Sequence, residues 1–191
     1  MMDARMEKRI KALMKERIEV VPYDPAWPGR YLELEKEVKR IVPRRLIQRI
    51  AHIGSTAVPG LSAKPIIDVQ VEVSDLDEIR DVVAPLMEEA GFEFIWRPTI
   101  GDEGLFYAWF IMRDANGQRT AHIHMVQPGQ ASVDRIVFRD FLCAFPEEAK
   151  RYAALKEELA RRHPKARAAY TAGKSAYVAE VLAKSRRTKW R

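Results

Sequence analysis

The sequence predicts an α+β domain of the mixed α/β kind: a mixed sheet of four to five strands flanked by helices, with a helical C-terminal third. Three observations carry this expectation. Residues 65–73 alternate, with Ile67, Val69, Val71 and Val73 on one side and Ile66, Asp68, Gln70 and Glu72 on the other, which is the period of a strand. Asp114-Ala115-Asn116-Gly117-Gln118 lies between two apolar runs, and Asn-Gly in that setting signals a hairpin. From Ser132 onward the apolar residues recur at helical spacing. Helices, then strands, then helices is the order of a single sheet packed by helices.

Taken in order, residues 1–17 predict a basic amphipathic N-terminal helix with Ile10, Leu13 and Met14 on one side. Asp24-Pro25 marks a helix start, and Tyr31, Leu34, Val38 and Ile41 continue that helix until Pro43 interrupts it. Residues 49–53 predict a short strand that ends in the loop 54–64, and 65–73 the next strand. Asp75 caps a helix running to about Ala90, with Gly91 suited to the left-handed position that follows. Strands follow at 92–97, 105–113 and 119–126, and helices at 132–144, 146–163 and 165–185. The main domain is expected over 18–183, with 184–191 as a basic tail.

The 191 residues, 47% of them hydrophobic, suffice for one packed core. No apolar run is long enough to cross a bilayer, and residues 1–17 are too charged for a secretory signal. The expectation is a cytoplasmic protein without membrane contact. Cys143 is the single cysteine, which excludes an intramolecular disulfide and a CxxC metal or redox motif. Its apolar helical neighbours predict a buried, inert thiol. The net charge is +6, yet residues 161–191 hold ten Lys or Arg and one acid, so the rest of the chain sums to −3. That basic end favours phosphate-bearing partners. It admits nucleic acid through the tail, although no aromatic-basic interleaving of an RNA-binding motif accompanies it.

The loop 54–64, with Gly54, Ser55, Thr56, Gly60, Ser62 and Lys64, has a composition that suits either an ordinary polar connection or a phosphate cradle. Glycine allows close approach, backbone N–H groups and hydroxyls can bond phosphate oxygens, and Lys64 supplies charge. It is not a P-loop, because the lysine precedes a strand and the GxxxxGK[ST] spacing is missing. Neither is it the GxGxxG dinucleotide fingerprint. Asp68 stands in an otherwise apolar strand and needs a partner there: a metal, Lys64 or a histidine. Gln70 and Glu72 share its face. His122 and His124 alternate along a later strand and project to one face, as ligands or proton carriers. His52 is placed to orient the loop. Tyr23, Trp27, Trp96, Trp109 and Phe110 are expected in the core or cleft wall.

His52-Ile53-Gly54-Ser55-Thr56-Ala57-Val58-Pro59-Gly60-Leu61, followed by Ala63-Lys64-Pro65-Ile66-Ile67-Asp68, resembles the signature stretch of GrpB-like proteins. Tyr23-Asp24-Pro25-Ala26-Trp27, Phe138-Arg139-Asp140-Phe141-Leu142 and Lys174 with Tyr177-Val178 extend the resemblance over about residues 18–182. It implies a nucleotidyltransferase-like fold. In that superfamily a Gly-Ser turn holds a triphosphate, an Asp-x-Asp or Asp-x-Glu pair on the next strand binds divalent ions, and a third carboxylate completes the site. Carried over, Gly54, Ser55, Thr56, Lys64 and Lys174 are the nucleotide-binding candidates, Asp68 the first acid, and Asp68 and His124 the catalytic candidates. The chain departs from the pattern at the second acid, which is Gln70, and at the third, where His122 and His124 stand. Asp68, Gln70, His122 and His124 are therefore the candidate ligands of a divalent metal, magnesium or manganese. The expected activity is metal-dependent transfer of a nucleotidyl group from a nucleoside triphosphate to a small acceptor. The alternative is a catalytically degenerate module that binds a nucleotide or phosphometabolite.

Overall fold

The computed structural model describes Arg9 and residues 17–99 and 102–190. Apart from Arg9 and Arg17, the helix expected over 1–17 lies outside the described residues. A turn at Pro25-Ala26, in which Asp24 Oδ1 accepts from the Ala26 amide at 2.8 Å, leads into helix α1, Trp27–Ile41. Strand β1, Ile47–Ile53, is followed by a short 3₁₀ turn, Ser55–Ala57, and then β2, Ile67–Val73. Helix α2 runs on from Leu76–Glu78 through a wider π turn, Ile79–Val83, into Ala84–Glu89. Asp75 accepts from the Glu78 amide at its start, and Gly91, at φ 91°, ends it. β3 (Glu93–Thr99), β4 (Asp102–Arg113) and β5 (Arg119–Val126) follow. The C-terminal third is α3 (Gln130–Ala144), α4 (Pro146–Arg162), α5 (Arg167–Ala172) and α6 (Ser175–Arg187).

The five strands form one mixed sheet in the order β1-β2-β5-β4-β3. Only β2 and β5 run parallel; the other neighbours are antiparallel. One face carries the main core. Ile67, Val69, Val71 and Val73 of β2 join Ile123 and Met125 of β5 and Phe110 of β4, covered by Trp27 and Val38 of α1 and by Ile79, Val83 and Met87 of α2. A one-residue slip of β2 would turn all four of its aliphatics out and drive Asp68 and Gln70 into that core. At about 1.5–3 kcal/mol for each fully buried aliphatic side chain, this holds the register. The opposite face of the sheet therefore presents Asp68, Gln70 and Glu72, with α3 lying against β1 on that side. A second core joins α3, α4 and α6 through Phe141, Leu142, Tyr152, Tyr177 and Val181.

Three expectations need correction. Cys143 is exposed, because Phe141 and Leu142 take the buried positions of α3 and leave the thiol 3.9 Å from the Ala57 carbonyl. The helix expected over 165–185 is broken into α5 and α6. The break falls at Gly173, where a Cβ would stand 2.5 Å from Leu159 Cδ2. The segment 184–191 is not a free tail as far as it is described. It continues α6 to Arg187; Lys184 pairs with Glu148 and Arg186 with Asp134, and the Trp190 ring packs edge-on against Phe141. Among the described residues no helix is long and apolar enough to cross a membrane.

Candidate functional site

Asp68 is the second residue of β2, and Ile53, the last residue of β1, pairs with it. The bend that leaves β1 is therefore brought against the Asp68 carboxylate. Gly54 sits at φ 73°, ψ −170°, a backbone region open to glycine alone. A Cβ at this position would lie 2.7 Å from Asp68 Oδ2. Both facts require glycine, and together they let the acid pack onto the turn. His52 stacks on Tyr31 of α1, with ring centroids 4.7 Å apart, and its Nε2 is 3.0 Å from Thr56 Oγ1. Thr56 is buried and also donates to the Ile66 carbonyl at 3.5 Å, so its hydroxyl ties the loop to β2.

The parallel ladder sets His122 beside Asp68 and His124 beside Gln70, and alternation turns both rings to the face of Asp68. His122 Nδ1 lies 3.0 Å from Asp68 Oδ1 and His124 Nε2 lies 3.5 Å from the same oxygen. Arg119 Nη1 donates to His122 Nε2 at 3.4 Å, so the ring proton of His122 sits on Nδ1 and is donated to Asp68. Burial alone would raise Asp68; the hydrogen bond from His122 and the nearness of His124 outweigh it and hold the carboxyl well below its ordinary range. Burial lowers His122 to about 4, against the pull of Asp68, and lowers His124 as well. The centre at neutral pH is thus one carboxylate and two neutral imidazoles. Each offers a ligand atom, all within 4.8 Å of one another. His124 Nδ1 is buried without a hydrogen-bond partner among the described residues.

Gln70 is placed differently from its expected role. Its Nε2 donates to the Ser132 carbonyl at 3.0 Å and its Oε1 accepts from Arg135 at 3.4 Å, so its amide serves α3 and the oxygen a metal would use is held by a guanidinium. Glu72 pairs with Arg49.

A cavity of about 150 Å³ opens beside Asp68, lined by Gly54, Ser55, Lys64, Tyr152, Lys156 and Lys174 among others. Lys64 and Lys174 both line it, and both ammonium groups lie over the Tyr170 ring, 5.6 and 4.7 Å from its centroid. Neither forms an ion pair among the described residues. Burial, reinforced by Arg167 and Lys174, lowers Lys64 to about 7. Burial and Lys174 lower Lys156 to about 7, and burial lowers Lys174 too. Lys156 donates to the Ser62 carbonyl, and Ser55 and Tyr152 line the same cavity. Three amines lining one cavity beside a carboxylate make a small, cation-rich enclosure suited to an anion with several oxygens.

Tyr152, Lys156, Tyr170 and Arg119 were not expected here. Lys156 had a signal: it falls in the stripe Ala149, Tyr152, Leu159 at helical spacing, all buried, and a lysine in such a stripe needs an explanation.

The family model described as "GrpB protein" matches residues 17–184. A UPF0157 protein of Pseudomonas aeruginosa is 42% identical over 171 residues, which span 89% of this chain and 68% of that one. The UPF0157 protein YqkA of Bacillus subtilis is 32% identical over 176 residues, 92% of this chain and 49% of its own length. The chain thus spans about two thirds of one curated relative and half of the other. The crystal structure of the conserved protein GrpB from Enterococcus faecalis superimposes with a TM-score of 0.75 at 30% identity, covering 91% of this chain and 100% of that one.

Proposed function

This chain belongs to the GrpB family, and from that premise we propose that it binds a nucleoside triphosphate, or another phosphate-bearing small molecule, in the lysine-lined cavity and transfers a nucleotidyl group from it to a small hydroxyl- or amine-bearing acceptor. The observation that carries this reading is the contact of Gly54 with Asp68, a Gly-Ser turn pressed onto the acid of the next strand. A cavity of about 150 Å³ matches the phosphate part of such a ligand, since whole small molecules occupy about 300–1,000 Å³. Ser55 and the loop amides hold the phosphates, Lys64, Lys156 and Lys174 neutralise them, and the nucleoside extends outside.

In the transfer, an acceptor oxygen or nitrogen forms a bond to the α-phosphorus and the bond from that phosphorus to the pyrophosphate oxygen breaks. The acceptor's proton goes to His124 and pyrophosphate leaves with the electron pair. Asp68, His122 and His124 would hold a divalent ion by donor type and spacing, with release of the proton that His122 donates from Nδ1 to Asp68. One carboxylate with two imidazoles suits manganese or zinc better than magnesium. Such an ion, when bound, supplies positive charge to the phosphate oxygens.

Pyrophosphate release from ATP with manganese, across a panel of hydroxyl and amine acceptors, tests the reading. Release that is lost in Asp68→Ala is expected; full activity in that variant excludes the mechanism. A second reading, a module that binds without turnover, is favoured by the engagement of Gln70 with α3. It predicts calorimetric nucleotide binding that is indifferent to added metal and no pyrophosphate release.

A further inference from the structure

We propose a second anion site on the same sheet face, across Asp68 from the lysine cavity, where Arg97 and Arg135 hold a carboxylate or phosphate of the acceptor beside Tyr107 and Trp109. The proposal rests on the transfer reading above and deepens it by naming the acceptor's chemistry. Sheet order supplies the placement. The lysine cavity lies at the β1 and β2 side, Asp68 and the two histidines occupy β2 and β5, and Tyr107, Trp109 and Arg97 follow on β4 and β3.

Arg97 places its guanidinium carbon 5.8 Å from the Tyr107 ring centroid and 5.4 Å from that of Trp109. Arg135 comes from α3, is half-buried, and makes its described hydrogen bond to Gln70 Oε1 at 3.4 Å. Neither arginine forms an ion pair among the described residues, although both act on His124 and on Tyr107. Two half-buried guanidinium groups without a carboxylate partner present N–H forks that fit an oxyanion.

Trp109 lies opposite His124 in the β4–β5 ladder, and the two rings stack, with centroids 6.1 Å apart and planes 10° from parallel. Trp109 is 8% exposed and, among the described residues, its Nε1 is buried without a hydrogen-bond partner, as is His124 Nδ1. The indole offers a donor. His124, with Nε2 turned to Asp68, offers at Nδ1 a lone pair that can accept a proton. Donors for an oxyanion beside an acceptor for O–H or N–H describe one class of ligand: a small hydroxy or amino compound that carries a carboxylate or phosphate.

The chain has four tryptophans, so the indole ¹⁵N–¹H signals make a compact reporter, with Trp109 assigned by its disappearance in Trp109→Phe. Titration with inorganic phosphate and separately with acetate should move the Trp109 signal with at least one of them. The anion that moves it at the lower concentration tells a phosphate-bearing from a carboxylate-bearing acceptor. Arg97→Gln, and Arg97→Gln with Arg135→Gln, should weaken that response about tenfold or more, while the other three indole signals stay in place as the check on folding. Lys174→Gln should leave the response intact. A Trp109 signal that neither anion moves, or that moves equally in the arginine variants, overturns the site. A response lost in Lys174→Gln also overturns it, because the anion then occupies only the lysine cavity. A response that survives all this in a protein releasing no pyrophosphate keeps the site but refutes its assignment to an acceptor, so the two failures are distinguishable.

Discussion

The Asp68 carboxylate is held ionised by His122, and the cavity beside it is lined by Lys64 and Lys156, amines lowered to about 7 by burial and by neighbouring cations. The consequence for pH has two opposite signs. An unfolded lysine titrates near ~10.4, so from about pH 7 upward the unfolded chain binds protons that the folded chain does not. Stability of the ligand-free protein therefore rises with pH through this range. Anion binding needs the protonated amines and weakens over the same range, although inorganic tripolyphosphate itself gains charge as pH rises. The expected outcome is a thermal midpoint that climbs between pH 7 and 9 without ligand, and a calorimetric affinity for tripolyphosphate that falls. Lys156→Met should flatten both trends; an affinity that is level or rising with pH in the wild-type protein defeats the assignment of these amines to the phosphates. Among single residues, Gly54, Asp68, His122 and His124 were legible because each stands out locally: a glycine at a bend, an acid among aliphatics, two histidines at strand spacing. Arg119 and Arg135 were not, since nothing in their own segments distinguishes them from surface cations.

At the scale of elements, the strands were read to within a few residues because alternation is a local property. Their partners were not readable in this way: the parallel pairing of β2 with β5 decides that the histidines meet Asp68, and it follows from tertiary packing. The break between α5 and α6 was likewise missed, since Gly173 lies inside a pattern that reads as one helix. Its reason is the close crossing with α4, and its effect is to deliver Lys174 to the cavity. Gly173→Ala brings a methyl to 2.5 Å from Leu159 Cδ2 and 3.3 Å from the Ala169 carbonyl. Overpacking of this kind costs about 1–3 kcal/mol. The variant should lose stability by that amount in chemical denaturation and should bind tripolyphosphate more weakly. Adding Leu159→Ala should recover part of the lost affinity, because the two sites touch and their effects do not add. Unchanged affinity in Gly173→Ala would mean that the break does not position Lys174.

Across the whole molecule, the excess of positive charge suggested a basic tail free to meet phosphate, and the distribution of partners assigns the charge differently. Lys184 binds Glu148 and Glu180, and Arg186 binds Asp134, so α6 is tied to α4 and α3 by the cations that the sequence assigned to a tail. Lys64, Lys156 and Lys174, which form no ion pair among the described residues, line the cavity at Asp68. Exposed pairs contribute little singly, about 0–1 kcal/mol; the larger loss on truncation comes from Trp190, whose ring meets Phe141 and Phe145 and whose Nε1 donates to the Ser185 carbonyl at 2.9 Å. Trp190 is half-buried, and aromatic contacts of this kind stabilise by about 0.5–1.5 kcal/mol. Deleting residues 184–191 should therefore lower the thermal midpoint and expose the Phe141–Phe145 surface to a hydrophobic dye, while tripolyphosphate binding, measured below the new midpoint, persists. An arm for nucleic acid behaves in the opposite way: the deletion would leave stability unchanged and remove a duplex-DNA affinity that falls steeply with salt. The two outcomes differ in which measurement moves, so one truncated protein separates a folded C-terminus from a nucleic-acid arm.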